Sequence, residues 1–475
     1  MTTDPHFLDW TQREKLAERM VPLIGTLYRE HNIIVTIYGK PLHHRTPVSL
    51  IKAHKYARKF DGKTAINMAE STAVLQRLTE LRLPPARIDV AKLVRSARAS
   101  NLDLIEYVDA AVASLKTETT NDRGPSDVVL YGFGRIGRLL ARMLVNKVGG
   151  GQKARLRAIV VRPKGGADLA RRASLLRRDS VHGPFQGSID LDRENNELII
   201  NGNRVKLLYA SSPSDIDYTA HGINDALVID NTGKWRDRNG LEQHLRAPGA
   251  SRVLLTAPGK GDIPNIVFGV NSTALPAGQS VVSAASCTTN AVVPALAVLD
   301  NKYGIVSGHI ESVHSFTNDQ NLTDNYHPKA RRNRSASMNM VITTTGAATA
   351  AAKALPSLAG KLTASAIRVP TPNVSLAILK RTRAQATDRE ALTECLRRAS
   401  LGGPLQDQID WTAAPDVVSI DLVGNDHACI IDATATIVEG TKAVVYAWYD
   451  NEYGYSAQCI RLMAQMIGIR RPSIP

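Results

Sequence analysis

The spacing of hydrophobic residues along the chain changes character twice. Over residues 1 to about 125, apolar side chains recur at three- and four-residue intervals, as in "LAERMVPLIGTLYREH", which is typical of helices with one buried face. The segments "TAVLQRLTELRL" and "ARIDVAKLVRSARA" follow the same spacing, whereas "NIIVTIYGK" fits either a short strand or a buried link. The apolar face of the first segment comprises Leu16, Met20, Leu23, Ile24 and Leu27. We predict a mostly helical N-terminal region.

A polar, turn-rich stretch, "KTETTNDRGPSD" at 116–127, ends this region and is typical of a linker. Beyond it, short apolar runs such as "VVLYGFG", "RLRAIVV" and "ALVIDNTG" alternate with helical stretches, which indicates βαβ units and a parallel sheet. From about residue 306 the apolar runs lengthen, as in "HACIIDATATIVEGTKAVVYAWYD", and predict a large mixed or antiparallel sheet. The chain closes with a helical segment, "YSAQCIRLMAQMIG".

Composition narrows the class of protein. A chain of 475 residues, 43% hydrophobic and 22% charged, suits a soluble globular protein of about three domains. No apolar run approaches the ~18 residues that cross a bilayer, and the N-terminus lacks the pattern of a signal peptide. The four cysteines form no CxxC pair, which favours reduced thiols, a cytoplasmic location and no metal site.

The net charge of +15 is expected to attract anions such as nucleic acid, acidic membrane surfaces or phosphorylated small molecules. No basic run is interleaved with aromatic residues, as a nucleic-acid groove would require. Charge spread over the surface of a housekeeping protein is therefore the favoured interpretation. The densest basic cluster is "KARRNR" at 329–334.

The first candidate for chemistry is a glycine-rich turn. "VVLYGFGRIGR" places Gly132, Gly134 and Gly137 in a GxGxxG pattern between a predicted strand and a predicted helix. The first glycine makes the tight turn, the second admits a pyrophosphate, and the third lets helix and strand pack closely. The helix start adds free N–H groups and a positive dipole. We predict a dinucleotide site.

The end of the next strand bears on which dinucleotide is bound. An Asp or Glu usually stands there to bind the ribose hydroxyls, but "RLRAIVVRPKGG" places Arg162 at that point. Together with Lys164, and with Arg171 or Arg172, it forms a basic corner that favours a 2′-phosphate. The pattern favours NADP, or use of both cofactors, and the alternative is that Arg162 is a solvated loop residue.

The second candidate is a thiol. Cys287 in "SAASCTTNA" follows a predicted strand and opens a predicted helix, where the dipole and free N–H groups are expected to lower its pKa. Ser286 and Thr288 can donate hydrogen bonds in the same turn. His314 in "ESVHSFTNDQ" is a candidate base. A buried structural cysteine and a core histidine are the alternatives.

Five motifs then occur in order at fitting intervals. They are "YGFGRIGR", "SCTTNA", "VHSFT", "AIRVPTPNVSL" and "WYDNEYGYS". Together they resemble phosphorylating glyceraldehyde-3-phosphate dehydrogenase over residues 127 to 475. The first 125 residues have no counterpart in the common form of that enzyme and are similar to a long bacterial subtype.

The resemblance implies the reaction and its acid–base pair. Cys287 would add to the aldehyde of glyceraldehyde 3-phosphate, and His314 would take the hydroxyl proton as hydride leaves for the nicotinamide. The resulting thioester would then be attacked by inorganic phosphate. The Cys287 N–H would stabilise the oxyanion.

The resemblance also implies two anion sites and a cofactor site. The substrate phosphate would be bound by Thr317 and Arg368. The attacking phosphate would contact Ser286, Thr345, Gly346 and Arg334, with the neighbouring Thr288 also counted among the binding residues. The dinucleotide would contact Arg135, Ile136, Thr232, Gly233, Thr256 and Ala257, with Asn451 holding the nicotinamide carboxamide and Tyr455 beside it.

The implied fold is a Rossmann-type dinucleotide-binding domain (126–286), an α+β catalytic domain with a large mixed or antiparallel sheet (287–450) and a C-terminal helix that packs back on the nucleotide domain (451–475). They follow the helical extension (1–125). A homotetramer acting on triose phosphate and inorganic phosphate, with no membrane or nucleic-acid partner, is expected by similarity.

The sequence departs from the family pattern at three places, and alternatives stay open. Arg162 stands where an acidic residue is usual, Ala284 stands where Asn is usual, and the loop 318–333 is about one residue short. The alternative activities are oxidation of erythrose 4-phosphate and a non-catalytic regulatory or nucleic-acid-binding role on the same scaffold.

Overall fold

The structure is a computed structural model, and it describes residues 4–117, 124–147, 153–163, 168–276, 278–469 and 471–475. The chain divides into two compact units. One comprises residues 1–124 and 469–475, and the other comprises residues 125–468. Lys164, which was predicted to belong to the basic corner beside Arg162, lies outside the described residues, and so does half of the predicted linker, residues 118–123.

The first unit combines five described α-helices with a small sheet. Its elements in chain order are α1 (Pro5–Glu30), β1 (Ile34–Ile37), β2 (Lys40–Pro41), α2 (Pro47–Asp61), α3 (Met68–Leu81), β3 (Arg87–Asp89), α4 (Val90–Arg98) and α5 (Leu104–Val112). The buried residues of α1 include Ala17, Met20, Ile24 and Leu27, so the predicted apolar face packs inward. The prediction of a mostly helical region is confirmed, with a strand order of β2-β1-β3 added to it.

The segment "ARIDVAKLVRSARA" differs from its prediction as one helix. Its first residues form β3, which pairs parallel with β1, and α4 begins only at Val90. Asp89 accounts for this break, because its side chain accepts a hydrogen bond from the Lys92 N–H as the N-cap of α4. A helical start upstream would place that carboxylate inside the helix instead.

The second unit begins with an eight-stranded sheet. Its elements are β4 (Ser126–Tyr131), α6 (Arg135–Lys147), β5 (Ala154–Val161), α7 (Asp168–Arg177), β6 (Ile189–Asp192), β7 (Glu197–Ile200), β8 (Asn203–Tyr209), β9 (Ala226–Asp230), α8 (Arg238–Glu242), β10 (Ala250–Leu255) and β11 (Val281–Ser283). The strand order is β11-β10-β9-β4-β5-β8-β7-β6. Pairing is parallel from β11 to β8 and antiparallel in the β6–β7–β8 meander. Val128, Val129 and Leu130 are fully buried, as strands of a parallel sheet covered on both faces require.

The rest of the second unit is built on a seven-stranded sheet. Its elements are α9 (Cys287–Tyr303), β12 (Ile305–Ser315), β13 (Val341–Thr343), α10 (Ala347–Ala354), β14 (Leu362–Val369), β15 (Ser375–Arg383), α11 (Arg389–Leu401), β16 (Ile409–Thr412), β17 (Cys429–Glu439), β18 (Lys442–Tyr449) and α12 (Tyr453–Met466). The order β13-β14-β12-β15-β18-β17-β16 mixes parallel and antiparallel pairs, and so confirms the predicted mixed sheet. One buried cluster joins α9 to this sheet through residues such as Leu296, Leu299, Leu379 and Val445.

After α12 the chain returns to the first unit. Strand β19 (Ser473–Ile474) pairs parallel with β3 at the edge of the small sheet. No helix in the described parts of the chain combines the length and the hydropathy needed to cross a membrane. Among the described residues, no group of three His, Cys, Asp or Glu side chains is arranged to hold a metal ion.

Candidate active site

The thiol lies at the mouth of α9 because of a strained turn. After β11 the backbone passes through Ala285 with φ of 54°, a left-handed conformation that costs a non-glycine residue about 1 kcal/mol or more. Tyr455 Oη donates to the Ala285 carbonyl at 2.9 Å and holds this turn. Ser286 then caps α9, its Oγ accepting from the Thr289 N–H at 3.0 Å. Cys287 is the first residue of the helix.

The imidazole of His314 lies beside the thiol. His314 comes from the end of β12, and its Nε2 is 3.5 Å from Cys287 Sγ. Its Nδ1 is 2.7 Å from the carbonyl oxygen of Ser315, so the ring proton belongs on Nδ1 and donates to that carbonyl. Nε2 therefore keeps its lone pair toward the sulfur and can accept a proton from it.

Burial decides the ionisation of both groups. It raises the pKa of the Cys287 thiol, although the charge of Arg368 and hydrogen bonds to Thr288 oppose the rise. Burial, together with the charge of Arg368, lowers the pKa of His314 to about 3. The pair is thus neutral thiol and neutral imidazole at physiological pH. The expected low thiol pKa was wrong, because removing the sulfur from water outweighs the favourable charges around it.

Arg368 is the charge closest to this pair. Strand pairing places it directly opposite His314, in β14 beside β12. Its Nη1 donates to the Ser315 carbonyl at 3.1 Å and to Thr317 Oγ1 at 3.4 Å. Arg368 is largely buried, which lowers its own pKa. A cation beside Thr317 and the thiol is suited to hold an anionic group of a substrate.

The structure does not bring Arg334 into this cluster. The Arg334 side chain is 67% exposed and pairs with Asp324 at 2.8 Å. Arg332 points inward instead: it is buried, and its charge acts on His314 and Arg368. Its Nη2 donates to Thr343 Oγ1 at 3.1 Å, and its Nη1 pairs with Asp319. A run such as "KARRNR" does not reveal which arginine turns inward, because it lies in a loop and a short 3₁₀ turn without regular periodicity.

The remaining predicted anion-binding residues lie on two helix starts. Thr345 Oγ1 accepts from the Ala347 N–H at 3.2 Å, and Gly346 caps α10. Ser286 caps α9, as described above. Thr288 is buried, and its Oγ1 is 3.1 Å from Tyr449 Oη, so its hydroxyl serves an internal contact.

The glycine turn has the geometry of a phosphate cradle. Gly132 has φ of 105°, which favours glycine. A Cβ on Gly137 would lie 2.7 Å from the Gly132 carbonyl oxygen, whereas a Cβ on Gly134 would meet nothing within 4 Å. The open space at Gly134 faces the start of α6, where Arg135 and Ile136 offer backbone N–H groups. A dinucleotide pyrophosphate fits such a turn.

Two arginines predicted to contact the dinucleotide, Arg135 and Arg162, differ in their surroundings. Arg135 pairs with Glu452 at 2.5 Å and with Asp179 at 3.2 Å, so its side chain joins the glycine turn to the start of α12. Arg162 follows β5 directly and is exposed. Arg172 donates to the Arg162 carbonyl at 3.2 Å and pairs with Asp168 at 2.8 Å, which partly neutralises the predicted basic corner.

Two further turns carry predicted cofactor residues. Thr232 donates from its N–H and its Oγ1 to Asp230 Oδ1 at 2.8 and 2.7 Å, and the next residue, Gly233, has φ of 67°. The Thr256 N–H donates to the Asp230 carbonyl at 2.9 Å. Asp230 is fully buried against His244 Nε2 at 3.1 Å. Neither Asp230 nor His244 was predicted from the sequence. The position of the aspartate at the end of a predicted strand, in "IDNTG", was a signal that could have identified it.

Asn451 is oriented by two buried hydroxyls. Its Oδ1 accepts from Ser315 Oγ and Ser375 Oγ, both at 2.9 Å. The amide NH₂ therefore points away from the serines and is the end that can donate to a carboxamide oxygen. Neither serine was selected from the sequence, since a serine in a strand carries no spacing signal of its own.

A phosphate-binding turn at the ends of parallel strands, followed by a thiol–imidazole pair at a helix start, defines a class: dinucleotide-binding oxidoreductases that use a cysteine. Comparison with known proteins gives the family. Residues 126–238 match the NAD binding domain of glyceraldehyde 3-phosphate dehydrogenase, and residues 286–451 match its C-terminal domain. The chain belongs to the glyceraldehyde-3-phosphate dehydrogenase family, whose members are NAD(P)-dependent oxidoreductases.

Three relatives show how far the similarity extends. A "glyceraldehyde-3-phosphate dehydrogenase-like protein" of Pseudomonas aeruginosa is 53% identical over 460 residues, covering 96% of this chain and 100% of that protein. The glyceraldehyde-3-phosphate dehydrogenase of a second strain of that species is 40% identical over 69% of this chain and 94% of its own length. The chloroplastic glyceraldehyde-3-phosphate dehydrogenase A of Zea mays is 38% identical over 78% of this chain and 91% of its own length. Only the first of these alignments is long enough to include most of the N-terminal region.

Proposed function

We propose that the protein oxidises D-glyceraldehyde 3-phosphate and phosphorylates the product to 1,3-bisphosphoglycerate, with NAD(P) as the hydride acceptor. The observation that carries the proposal is the 3.5 Å contact between Cys287 Sγ and His314 Nε2. It supplies a nucleophile and a base in one place, beside a partly buried cation, Arg368. Family membership supports the same reaction.

The chemistry follows from these positions. As Sγ adds to the aldehyde carbon, its proton passes to His314 Nε2, which is neutral and has its lone pair toward the sulfur. The hemithioacetal oxygen lies against the Cys287 N–H at the start of α9. The nicotinamide dinucleotide, when bound, accepts the hydride that leaves this carbon. Before the hydride leaves, the proton on Nε2 passes to the aldehyde oxygen and gives the hydroxyl of the hemithioacetal; as the hydride leaves, Nε2 takes this proton back and a thioester forms. Phosphate then attacks the thioester carbon and the C–S bond breaks, which gives the acyl phosphate and a thiolate that recovers the proton from Nε2.

We assign the anions by the charges present. The substrate phosphate is assigned to Arg368 and Thr317, which lie 3.4 Å apart. The attacking phosphate is assigned to Ser286, Thr345 and Gly346, with Arg332 in place of Arg334, because Arg332 is the inward-facing guanidinium. Asn451 is assigned to the nicotinamide carboxamide through its NH₂ group.

The test is a phosphate-dependent reduction assay with Cys287→Ala. We expect turnover to fall by at least about 10³-fold, while binding of the dinucleotide, measured by fluorescence, stays close to the parent value. Cys395→Ala is the matched control, since Cys395 lies in α11 and is only half-buried. Turnover by Cys287→Ala equal to the parent would sink the proposal. Preference for erythrose 4-phosphate, at a rate that ignores added phosphate, would favour the alternative activity.

For the cofactor we propose NADP, or both nicotinamide dinucleotides, with Arg162 as the residue that decides. Its exposed position directly after β5 supports this assignment. Arg162→Asp is expected to shift the ratio of kcat/KM for NADP over NAD toward NAD by at least about tenfold. Arg193→Asp, an equal change of charge in the exposed turn after β6, is the control. If the ratio of kcat/KM for NADP over NAD is unchanged in Arg162→Asp, Arg162 does not set the cofactor preference.

We also propose a cytoplasmic homotetramer, with domain boundaries at 125/126, 286/287 and 450/451. Exposed apolar side chains in and before β13 support self-association: Met338 is 82% exposed, Met340 75% and Ile342 63%. Mass measurement in solution tests the tetramer, and Met340→Glu is expected to shift it toward smaller species.

A further inference from the structure

Two arginines occupy core positions of the seven-stranded sheet. In β15, Ala377 and Leu379 are fully buried, and Arg381 and Arg383 continue the same alternation at 4% and 1% exposure. Residues two apart on a strand point to the same face, so both arginines lie on the face that packs into the apolar core. Lys380, which precedes Arg381 and points to the opposite face, is exposed. The alternation alone would favour apolar residues at both positions.

The guanidinium of Arg381 has no protein partner. Its Nε, Nη1 and Nη2 are all buried, and none of them forms a hydrogen bond with the described residues. Burial and the charge of Arg383 lower the pKa of Arg381 to about 9, and no carboxylate is among the groups that act on it. Arg381 therefore remains a cation at neutral pH, buried without a counter-ion.

The guanidinium of Arg383, in the same region, is only partly hydrogen-bonded. Its Nε and Nη2 donate to the Thr441 and Gly440 carbonyls at 3.2 and 2.7 Å, while its buried Nη1 has no partner among the described residues. Its guanidinium carbon lies 5.5 Å from the ring centre of Tyr303. Carbonyl contacts leave the positive charge of Arg383 in place.

The residues around Arg381 and Arg383 do not supply a counter-ion for the two positive charges. On the strands either side, the residues opposite Arg381 are small, Gly308 in β12 and Ala443 in β18. The nearby C-terminal end of α9 is also occupied, since the Tyr303 carbonyl accepts the Gln385 N–H. Two buried like charges without an acid are strongly unfavourable unless an anion joins them.

We propose that a small inorganic anion, a halide or phosphate, binds in the core between Arg381 and Arg383 and serves as their counter-ion. Four buried nitrogens without a hydrogen-bond partner are available to it: the three nitrogens of Arg381 and Nη1 of Arg383. The anion is structural. It stabilises the packing of α9 against the sheet and takes no part in turnover at Cys287.

The experiment follows thermal unfolding of the full chain while chloride, bromide or phosphate replaces gluconate at constant ionic strength. We expect a saturating rise in Tm of at least about 2 °C for the parent. The rise should vanish in Arg381→Met, which keeps an unbranched apolar stem and removes the charge. Lys380→Met, on the opposite face of the same strand, should retain it. Which anion is effective distinguishes a halide from an oxyanion, and phosphate effects that survive Arg381→Met belong to the active site.

A second measurement covers the case in which Arg381→Met fails to fold. Crystals of the parent soaked in bromide should show an anomalous peak within about 3.5 Å of both guanidinium groups. No peak there, together with a Tm that ignores all three anions, overturns the proposal. An anion-dependent rise in Tm that is equal in the parent and in Arg381→Met overturns it as well.

Discussion

Arg368 does two opposing things to the pair beside it. Its charge lowers the pKa of Cys287, working against burial, and the same charge adds to burial in lowering the pKa of His314. The charge of Arg368 by itself thus favours the thiolate and disfavours the imidazolium, so a proton that His314 takes up during the reaction is held only briefly. The residue assigned to the substrate phosphate thereby also sets the reactivity of the nucleophile.

This coupling can be measured by alkylation. We expect the rate of Cys287 modification by iodoacetamide, followed from pH 6 to 10, to rise with pH as the thiol ionises. In Arg368→Met the midpoint should move to higher pH, because loss of the positive charge leaves burial unopposed. Modification at pH 8 should accordingly be slower than in the parent. Mass spectrometry of the Cys287 peptide gives the rates.

Arg332→Met serves as the comparison. Arg332 is a second arginine of the same site, but Arg368 is the charge that acts most strongly on the thiol. The pH midpoint of alkylation in Arg332→Met should therefore stay closer to the parent value than the midpoint in Arg368→Met. A midpoint in Arg368→Met that equals the parent, or falls below it, contradicts the role given to Arg368.

For individual residues, the sequence predicted which side chains take part in the site better than it predicted how those side chains are oriented or buried. Cys287, His314 and Arg368 were selected, and the structure brings them together. Arg334 was selected over Arg332, since adjacent arginines in a loop are distinguished only by which one the backbone turns inward. The thiol pKa was misjudged because a helix start is visible in a sequence, whereas the desolvation of a sulfur depends on groups far away along the chain.

At the scale of elements, the β4–turn–α6 unit shows that one motif contains two different requirements. Gly137 is needed for packing: a Cβ there would lie 2.6 Å from Asn231 Oδ1 and 2.7 Å from a backbone carbonyl, and a backbone atom cannot move aside cheaply. Gly134 is not needed for packing, because a Cβ there meets only open space. We propose that glycine is needed at this position because the pyrophosphate of the dinucleotide approaches the backbone there.

Two substitutions separate these requirements. Gly137→Ala is expected to lower the free energy of unfolding by about 1–3 kcal/mol, the cost of forcing extra volume into a packed contact. Gly134→Ala should leave it within about 0.5 kcal/mol of the parent and yet weaken dinucleotide binding at least about tenfold, because a methyl group takes the place of the pyrophosphate. Denaturant unfolding and a fluorescence titration give the two quantities. Strong binding by a stable Gly134→Ala would place the pyrophosphate elsewhere.

Helices and strands with a regular pattern of hydrophobic residues were predicted correctly, whereas a short strand inside a predicted helix was missed. The apolar runs of β4, β5 and β9 were assigned as strands of a parallel sheet, since four or five consecutive buried residues fit little else. The strand β3 was included in a helix because three residues are too few to show a period, and only its pairing with β1 and β19 makes it a strand. Tertiary pairing of this kind is not visible in the sequence of one segment.

At the scale of the whole molecule, the two ends of the chain are part of one unit. Residues 469–475 group with residues 1–124, although some 340 residues separate them along the chain. The contacts are specific. The Pro472 carbonyl accepts the Arg87 N–H at 2.8 Å, and Arg471 Nη2 donates to Asn32 Oδ1 at 2.9 Å. The first unit is therefore completed only when residues 471–475 have been made.

Truncation after residue 468 tests this dependence. It removes β19, its ladder with β3 and the burial of Ile474, which is 9% exposed. One buried aliphatic side chain and two or three hydrogen bonds amount to about 3 kcal/mol. Amide hydrogen exchange at β3 and β1 should accelerate by about a hundredfold, while exchange at β4 and β5, which belong to the other unit, should stay at the parent rate.

Removal of Pro475 alone is the control, because that residue follows β19 and takes no part in its ladder. If β3 exchanges at the parent rate after truncation at 468, the C-terminal strand is dispensable to the first unit. If β4 and β5 accelerate to the same extent as β3, the two units unfold together, and their division does not describe how the protein opens. Acceleration confined to the first unit has a consequence for synthesis: residues 1–124 leave the ribosome without their last strand and reach full stability only after the catalytic unit is complete.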